Sequence, residues 1–201
     1  MFIINIYLKL ALIVVFLGGG IILTILNGFV WSWPLLLIGI LLLISYILLG
    51  TVASAANLIQ TLDFEGAKKR LNLTLSPKLL YVTNRAFYYI MNGSIMMNTG
   101  DTNGAEEEFN KALDLKLPTE NEKAMVLLQL ANINATKNKW NAAKLHFREA
   151  KKLKVTEGQL KEQMNQFEKA LSNRGQAQAQ GMGRKGQQMR PSNKRRRPKM
   201  R

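Results

Sequence analysis

The residues that could carry chemistry are few, and their spacing argues against catalysis. Glu106, Glu107 and Glu108 are the only run of acids in the 201 residues, and three carboxylates suggest metal binding or acid–base work. Consecutive helical positions point in different directions, however, so the three cannot close on one ion. In the first turn of a helix they would instead complement the positive end of its dipole. His146 is the only histidine; it adjoins Phe147 with no acid in a motif beside it and reads as a surface residue. The chain has no cysteine, which excludes disulfides, thiolate zinc sites and cysteine nucleophiles. Gly18-Gly19-Gly20 sits inside an apolar run, so it is no phosphate-cradling loop. The sequence therefore points to no enzyme, no cofactor, no metal and no small-molecule substrate.

Charge is the stronger signal. Residues 172–201 hold ten basic residues and no acid, whereas residues 1–62 hold Lys9 as their only charge. Residues 63–171 are nearly balanced, with 17 basic and 13 acidic side chains. The net charge of +15 thus belongs mainly to the end of the chain. There Lys194, Arg195, Arg196, Arg197, Lys199 and Arg201 form a dense cationic cluster suited to anionic lipid, or to RNA or ribosomal phosphates. No aromatic residue accompanies them, so base stacking is not expected. Composition predicts that 172–201 is a disordered polybasic tail. A merely solubilising tail fits the same residues.

Residues 1–50 read as a transmembrane hairpin with spans at about 5–26 and 34–52, since about 20 apolar residues cross a bilayer as a helix. The link Asn27-Gly28-Phe29-Val30-Trp31-Ser32-Trp33-Pro34 supplies a turn, tryptophans for the membrane interface and a proline to start the second helix. The first run is too long for a signal peptide and is followed at once by a second. The uncharged turn and the basic Lys68-Lys69-Arg70 place both termini in the cytoplasm of a multi-pass protein of the inner, cytoplasmic membrane. Gly18-Gly19-Gly20 on one span, with Gly39, Ser45 and Gly50 on the other, offers a surface for close helix packing. No Asp, Glu, Arg or His lies mid-span, so an ion pathway lacks its usual residues.

In residues 51–171 a spacing recurs three times: Ala67, Leu71, Thr74; Ala105, Phe109, Ala112; Ala143, Phe147, Ala150. The offset is 38 residues each time. Small residues let paired helices cross closely, which sets Gly93 against Ala105 and Ala131 against Ala143, and the larger residue four positions on fills the gap between units. One hairpin buries too little to be stable alone, so the units must stack, with Thr156–Leu171 as the capping helix.

Gly93, Gly100, Asp101, Ala105, Phe109, Ala112 and Pro118, followed by Leu130, Ala131, Ala143, Phe147 and Ala150, resemble the tetratricopeptide (TPR) family. The period is longer than the family's about 34 residues. The aromatic residues of the family's first helix are missing from their places, and Asn138-Lys139 stands where Gly-Asp would be. The resemblance implies a short TPR-like helical solenoid, which with the two-helix transmembrane hairpin before it and the tail after it makes an all-α chain. It also implies a peptide-binding groove lined by Phe87, Ile90, Ser94, Met97, Met125, Leu128, Asn132 and Ala135. These residues fit an ordinary core equally well. The function implied is a membrane-anchored scaffold or adaptor for a protein partner; the alternative is a tether for RNA, ribosomes or anionic lipid through the tail. Counting back from Ala67, the first unit's leading helix falls at Leu48–Thr61, so the second span is expected to run unbroken from Pro34 to about Leu62.

Overall fold

The computed structural model describes residues 6–187, with side chains from 7 to 174. Helices account for almost all of it, and there is no strand among the described residues. Two compact units divide the chain after Lys154. The first contains α1 (Ile6–Asn27), α2 (Phe29–Leu49), α3 (Val52–Gln60), α4 (Phe64–Leu71), α5 (Val82–Asn98), α6 (Thr102–Leu113), α7 (Glu120–Thr136) and α8 (Trp140–Lys151). The second is built on α9 (Gly158–Gln187).

Helices α1 and α2 are long and apolar enough to cross a membrane. Only 11% and 17% of their most apolar stretches are buried, which is unlike the core helices of a soluble protein. The pair is held where side chains are smallest. A Cβ on Gly20 would lie 2.7 Å from Leu36 Cδ2, and one on Gly39 would lie 2.7 Å from Leu17 Cδ2 and 3.1 Å from the Leu17 backbone nitrogen. Contact this close is what joins helices in lipid, where apolar burial alone supplies no preference. Gly18 and Gly19 face nothing within 4 Å, so of the three glycines only Gly20 is in the seam. The polar groups are paired: Lys9 Nζ donates to Ser45 Oγ at 2.9 Å, and the Thr24 and Ser32 hydroxyls lie 2.6 Å apart.

Two expected breaks moved. The reversal between the spans is made by Gly28 alone, at φ 82°, and α2 begins at Phe29, so Trp31, Trp33 and Pro34 all lie within the helix. Gly28 reaches a conformation closed to other residues, and nothing in Phe29–Trp33 opposes a helix. The second span does not run on to Leu62. It ends at Leu49, and Gly50 adopts φ 61° and ψ −149°, a region open essentially to glycine. Leu80 and Thr74 fill the space where its Cβ would stand. Thr51 then donates its hydroxyl to Arg70 O at 2.5 Å and pairs with Thr74 at 2.9 Å.

The three hairpins α3–α4, α5–α6 and α7–α8 repeat at the backbone level. Their second helices begin at residues 64, 102 and 140, and each turn places a residue at positive φ one repeat apart: Leu62, Gly100 and Asn138. The N–H groups of Asp63, Asp101 and Lys139 each reach back five residues, to Leu58, Met96 and Asn134. This closes the preceding helix in the Schellman manner. Asp63 and Asp101 cap the next helix, accepting from Gly66 N at 2.8 Å and Gly104 N at 2.9 Å. A Cβ at either glycine would press on that carboxylate, so each glycine gives its Asp cap room to sit close to the backbone. The third repeat replaces both members together, with Lys139 and Ala142.

Ala55, Ala67, Ala105, Ala131, Ala143 and Gly93 are buried at the crossings. The Phe109 ring lies on Gly93, 3.1 Å from where a Cβ would sit. Burying a side chain of this size contributes about 1.5–3 kcal/mol. One core lies around Leu71, Leu80 and Met91 and another around Phe109, Val126 and Leu130, with Phe87 packed against both.

The end of α2 is bonded to this stack. Tyr46 donates its hydroxyl to Leu73 O, Tyr81 N donates to Leu48 O at 2.9 Å, and Asn84 Nδ2 donates to Leu49 O at 3.2 Å. The Arg70 guanidinium lies 4.4 Å from the Tyr7 ring of α1. Helix α9 continues through Gln187, beyond Ser172, where a disordered tail was expected. Ala, Gln, Arg and Met favour a helix and no proline intervenes before Pro191, against the cost of Gly175, Gly181, Gly183 and Gly186 within the same stretch.

Candidate functional site

The candidate binding residues come from the leading helices of the second and third hairpins, α5 and α7, and they divide between core and surface. Ile90 and Leu128 are buried, at 5% and 2% exposure. Ile90 joins the core with Phe109 and Leu130, and Phe87, Met97 and Met125 pack against that core while remaining half-buried. Ser94 donates to Ile90 O of its own helix at 2.9 Å. Asn132 and Ala135 are half-buried, and Asn132 O accepts from Thr136 Oγ1 at 3.0 Å. The accessible face therefore consists of Phe87, Ser94, Met97, Met125, Asn132 and Ala135, apolar and methionine-bearing with two amide or hydroxyl groups.

The carboxylates of α6 do not serve the helix dipole. Because α6 starts at Thr102 after its Asp101 cap, Glu106–Glu108 fall beyond the first turn. Each has a different environment. Glu107 is exposed. Glu106 pairs with Lys137 at 2.5 Å, joining α6 to the turn that follows α7. The Lys137 ammonium, by that hydrogen bond first, holds the Glu106 carboxyl below its ordinary 4.5 despite some opposing burial. Glu108 is buried at 7% exposure, and both its oxygens are used: Asn92 Nδ2 donates at 2.9 Å and Lys111 Nζ at 2.7 Å.

This buried carboxylate organises its surroundings. Its hydrogen bond raises Lys111 above the ordinary amine value. Burial, with Glu108 and Tyr89 adding to it, pushes the Tyr88 phenol up. Tyr88 and Tyr89 meet edge to face at 5.8 Å, and Lys111 lies 5.9 Å from the Tyr89 ring. Sequence reasoning missed the Asn92–Glu108–Lys111 group. The i,i+3 spacing of Glu108 and Lys111 was a usable signal, but Asn92 comes from another helix and only the hairpin crossing brings it there. With Asn92 of α5 on one oxygen and Lys111 of α6 on the other, the buried Glu108 carboxylate ties the two helices of the second hairpin together.

Among the described residues no group of three or more His, Cys, Asp or Glu side chains is placed to hold a metal. His146 is half-buried on α8 rather than fully at the surface. A shallow hollow of about 440 Å³ lies at the α7–α8 turn, lined by Asn138 to Ala142 and by none of the groove candidates. Lys194, Arg195, Arg196, Arg197, Lys199 and Arg201 lie outside the described residues. Comparison with protein families, with curated proteins and with solved structures finds no match to this chain.

Proposed function

We propose that this protein is a membrane-anchored interaction platform, a short TPR-like stack on the cytoplasmic side of the inner membrane that collects a protein partner and performs no chemistry itself. The observation that carries this reading is the repeat of three hairpins with equivalent turns 38 residues apart, bonded through Tyr81 and through Asn84 at the start of α5 to the end of an apolar hairpin. Stacked hairpins present a continuous row of leading helices, a surface suited to a peptide. The half-exposed Phe87, Met97 and Met125, with Ser94 and Asn132 beside them, suit an amphipathic helix or an extended apolar segment. The basic Lys68, Lys69 and Lys78 at one end of the hairpin, against an uncharged tryptophan end, support cytoplasmic termini.

Photo-crosslinking in intact membranes from a reactive residue at Met97 or Met125 tests it. The expected result is a discrete adduct absent when the same group is placed at exposed Leu145 on α8. Equal or absent crosslinking at all three positions overturns it. A second reading rests on the ten basic residues of 172–201, a tether for RNA, ribosomes or anionic lipid. Deleting 172–201 then abolishes salt-sensitive co-sedimentation with RNA or ribosomes while leaving the Met97 adduct intact.

A further inference from the structure

We propose that the segment between Leu73 and Val82 is a second membrane contact, an interfacial seat that rests at the boundary of acyl chains and headgroups beside the end of α2. The inference rests on the reading of α1 and α2 as membrane spans and deepens it. The segment is apolar where it should not be. Leu75, Leu79, Tyr81 and Val82, in the connection from α4 to the first residue of α5, are between 43% and 67% exposed, while Leu80 among them is buried at 2%. Four large apolar side chains exposed within eight residues are a concentration of the kind that marks an interaction site.

The occupant is set by where the segment is held. Its first residue, Leu73, accepts the hydroxyl of Tyr46, and Tyr81 near its end donates its N–H to Leu48 O at 2.9 Å. Asn84 closes Leu49 O at 3.2 Å. These acceptors and donors are in the last turn of an apolar helix that ends at Leu49. Both ends of the loop are therefore anchored at the level where the span leaves the hydrocarbon, so side chains projecting from it meet lipid.

The loop is also stiff. Arg85 donates from Nε to Pro77 O at 3.1 Å and from Nη2 to Leu80 O at 3.3 Å and to Lys78 O, fastening the 3-10 turn Pro77–Leu79. A fastened turn presents Leu75 and Leu79 at little further entropic cost. Charge points the same way. From Gly66 through Gly100 there are five basic residues and no acid, and Lys68, Lys69 and Lys78 are exposed. Apolar side chains with flanking amines and a tyrosine make the composition of an interfacial anchor on anionic lipid.

The absence of cysteine from the 201 residues allows a clean test in the intact chain. Single cysteines at Leu75, Leu79, Ile25 in the span and Leu145 on α8 are labelled with an environment-sensitive fluorophore. The protein is then reconstituted in vesicles of phosphatidylcholine and phosphatidylglycerol, some carrying spin-labelled acyl chains. The expected result is blue-shifted, lipid-quenched emission at Leu75 and Leu79, intermediate between Ile25 and an aqueous Leu145. Emission at Leu75 and Leu79 matching Leu145, with Ile25 still quenched, overturns the seat and leaves the hairpin standing. An aqueous Ile25 overturns the hairpin and the seat with it. Leu75 and Leu79 serve as independent reporters, so misfolding of one variant leaves the other to decide.

Discussion

At the scale of single residues, the turn position shared by the repeats shows where strain is stored. Leu62, Gly100 and Asn138 all have positive φ, at 62°, 84° and 60°. Asparagine tolerates this region and glycine has no penalty there, but for leucine the left-handed conformation costs about 1–2 kcal/mol. Leu62 is also 76% exposed, so burial returns little of that cost. Leu62→Gly is therefore expected to stabilise the protein by about 0.5–1 kcal/mol, after allowance for the greater freedom of glycine in the unfolded chain. Gly100→Ala at the equivalent site should destabilise by about 1 kcal/mol. Urea midpoints in detergent micelles, followed by far-ultraviolet circular dichroism, check both signs, and equal shifts for the two variants would contradict the shared geometry.

Between elements, polar groups hold what apolar packing leaves adjustable. Glu106 on α6 and Lys137 after α7 clasp neighbouring repeats at 2.5 Å. Because the folded carboxyl is held below its ordinary value, the pair's contribution is present above pH 4.5 and is lost as pH falls through the lower folded value. Solvent screening limits it to roughly 0.5 kcal/mol. The difference in urea midpoint between wild type and Glu106→Gln should consequently shrink on acidification, whereas a difference constant with pH would remove the ion pair from the account. Arg85 does more work per residue, since one planar guanidinium fastens three carbonyls of the Pro77–Leu80 turn. Arg85→Lys keeps the charge but cannot reproduce the fork. The expected loss is about 1–3 kcal/mol for Arg85→Met, with only partial recovery for Arg85→Lys, and with faster proteolysis in 75–82 as the local readout. Full rescue by lysine would mean that charge alone matters there.

For the whole molecule, the first compact unit couples an apolar hairpin to a helical stack through bonds that would be idle if either part stood alone. Tyr46, Leu48 and Leu49 use their final-turn groups on Leu73, Tyr81 and Asn84. The hairpin itself depends on two glycines at its seam. Gly39→Leu has to displace Leu17, including its backbone 3.1 Å away, whereas Gly18→Leu enters open space. Thermal unfolding in micelles is expected to show a loss of about 1–3 kcal/mol or more for Gly39→Leu and near-neutrality for Gly18→Leu. Similar losses at both glycines would show that α1 and α2 pack through a different face.

Sequence alone determined the helical class, the two long apolar helices and the 38-residue spacing, because each is written in local periodicity and composition. Ala67, Ala105 and Ala143 could be recognised as crossing points since only a small residue permits helices to approach so closely. The candidate groove was legible as a helix face at Phe87, Ile90 and Met97, but not as surface or core, since Ile90 and Leu128 are buried by residues distant in the chain. Glu108 reached Asn92, and Glu106 reached Lys137, only once the hairpins had crossed. The break after the second span was decided in the same way. Gly50 permits a helix to stop, but what stops it is Leu80 and Thr74 occupying the space beside it and Tyr81 taking the Leu48 carbonyl, contacts some thirty residues away that no local pattern encodes.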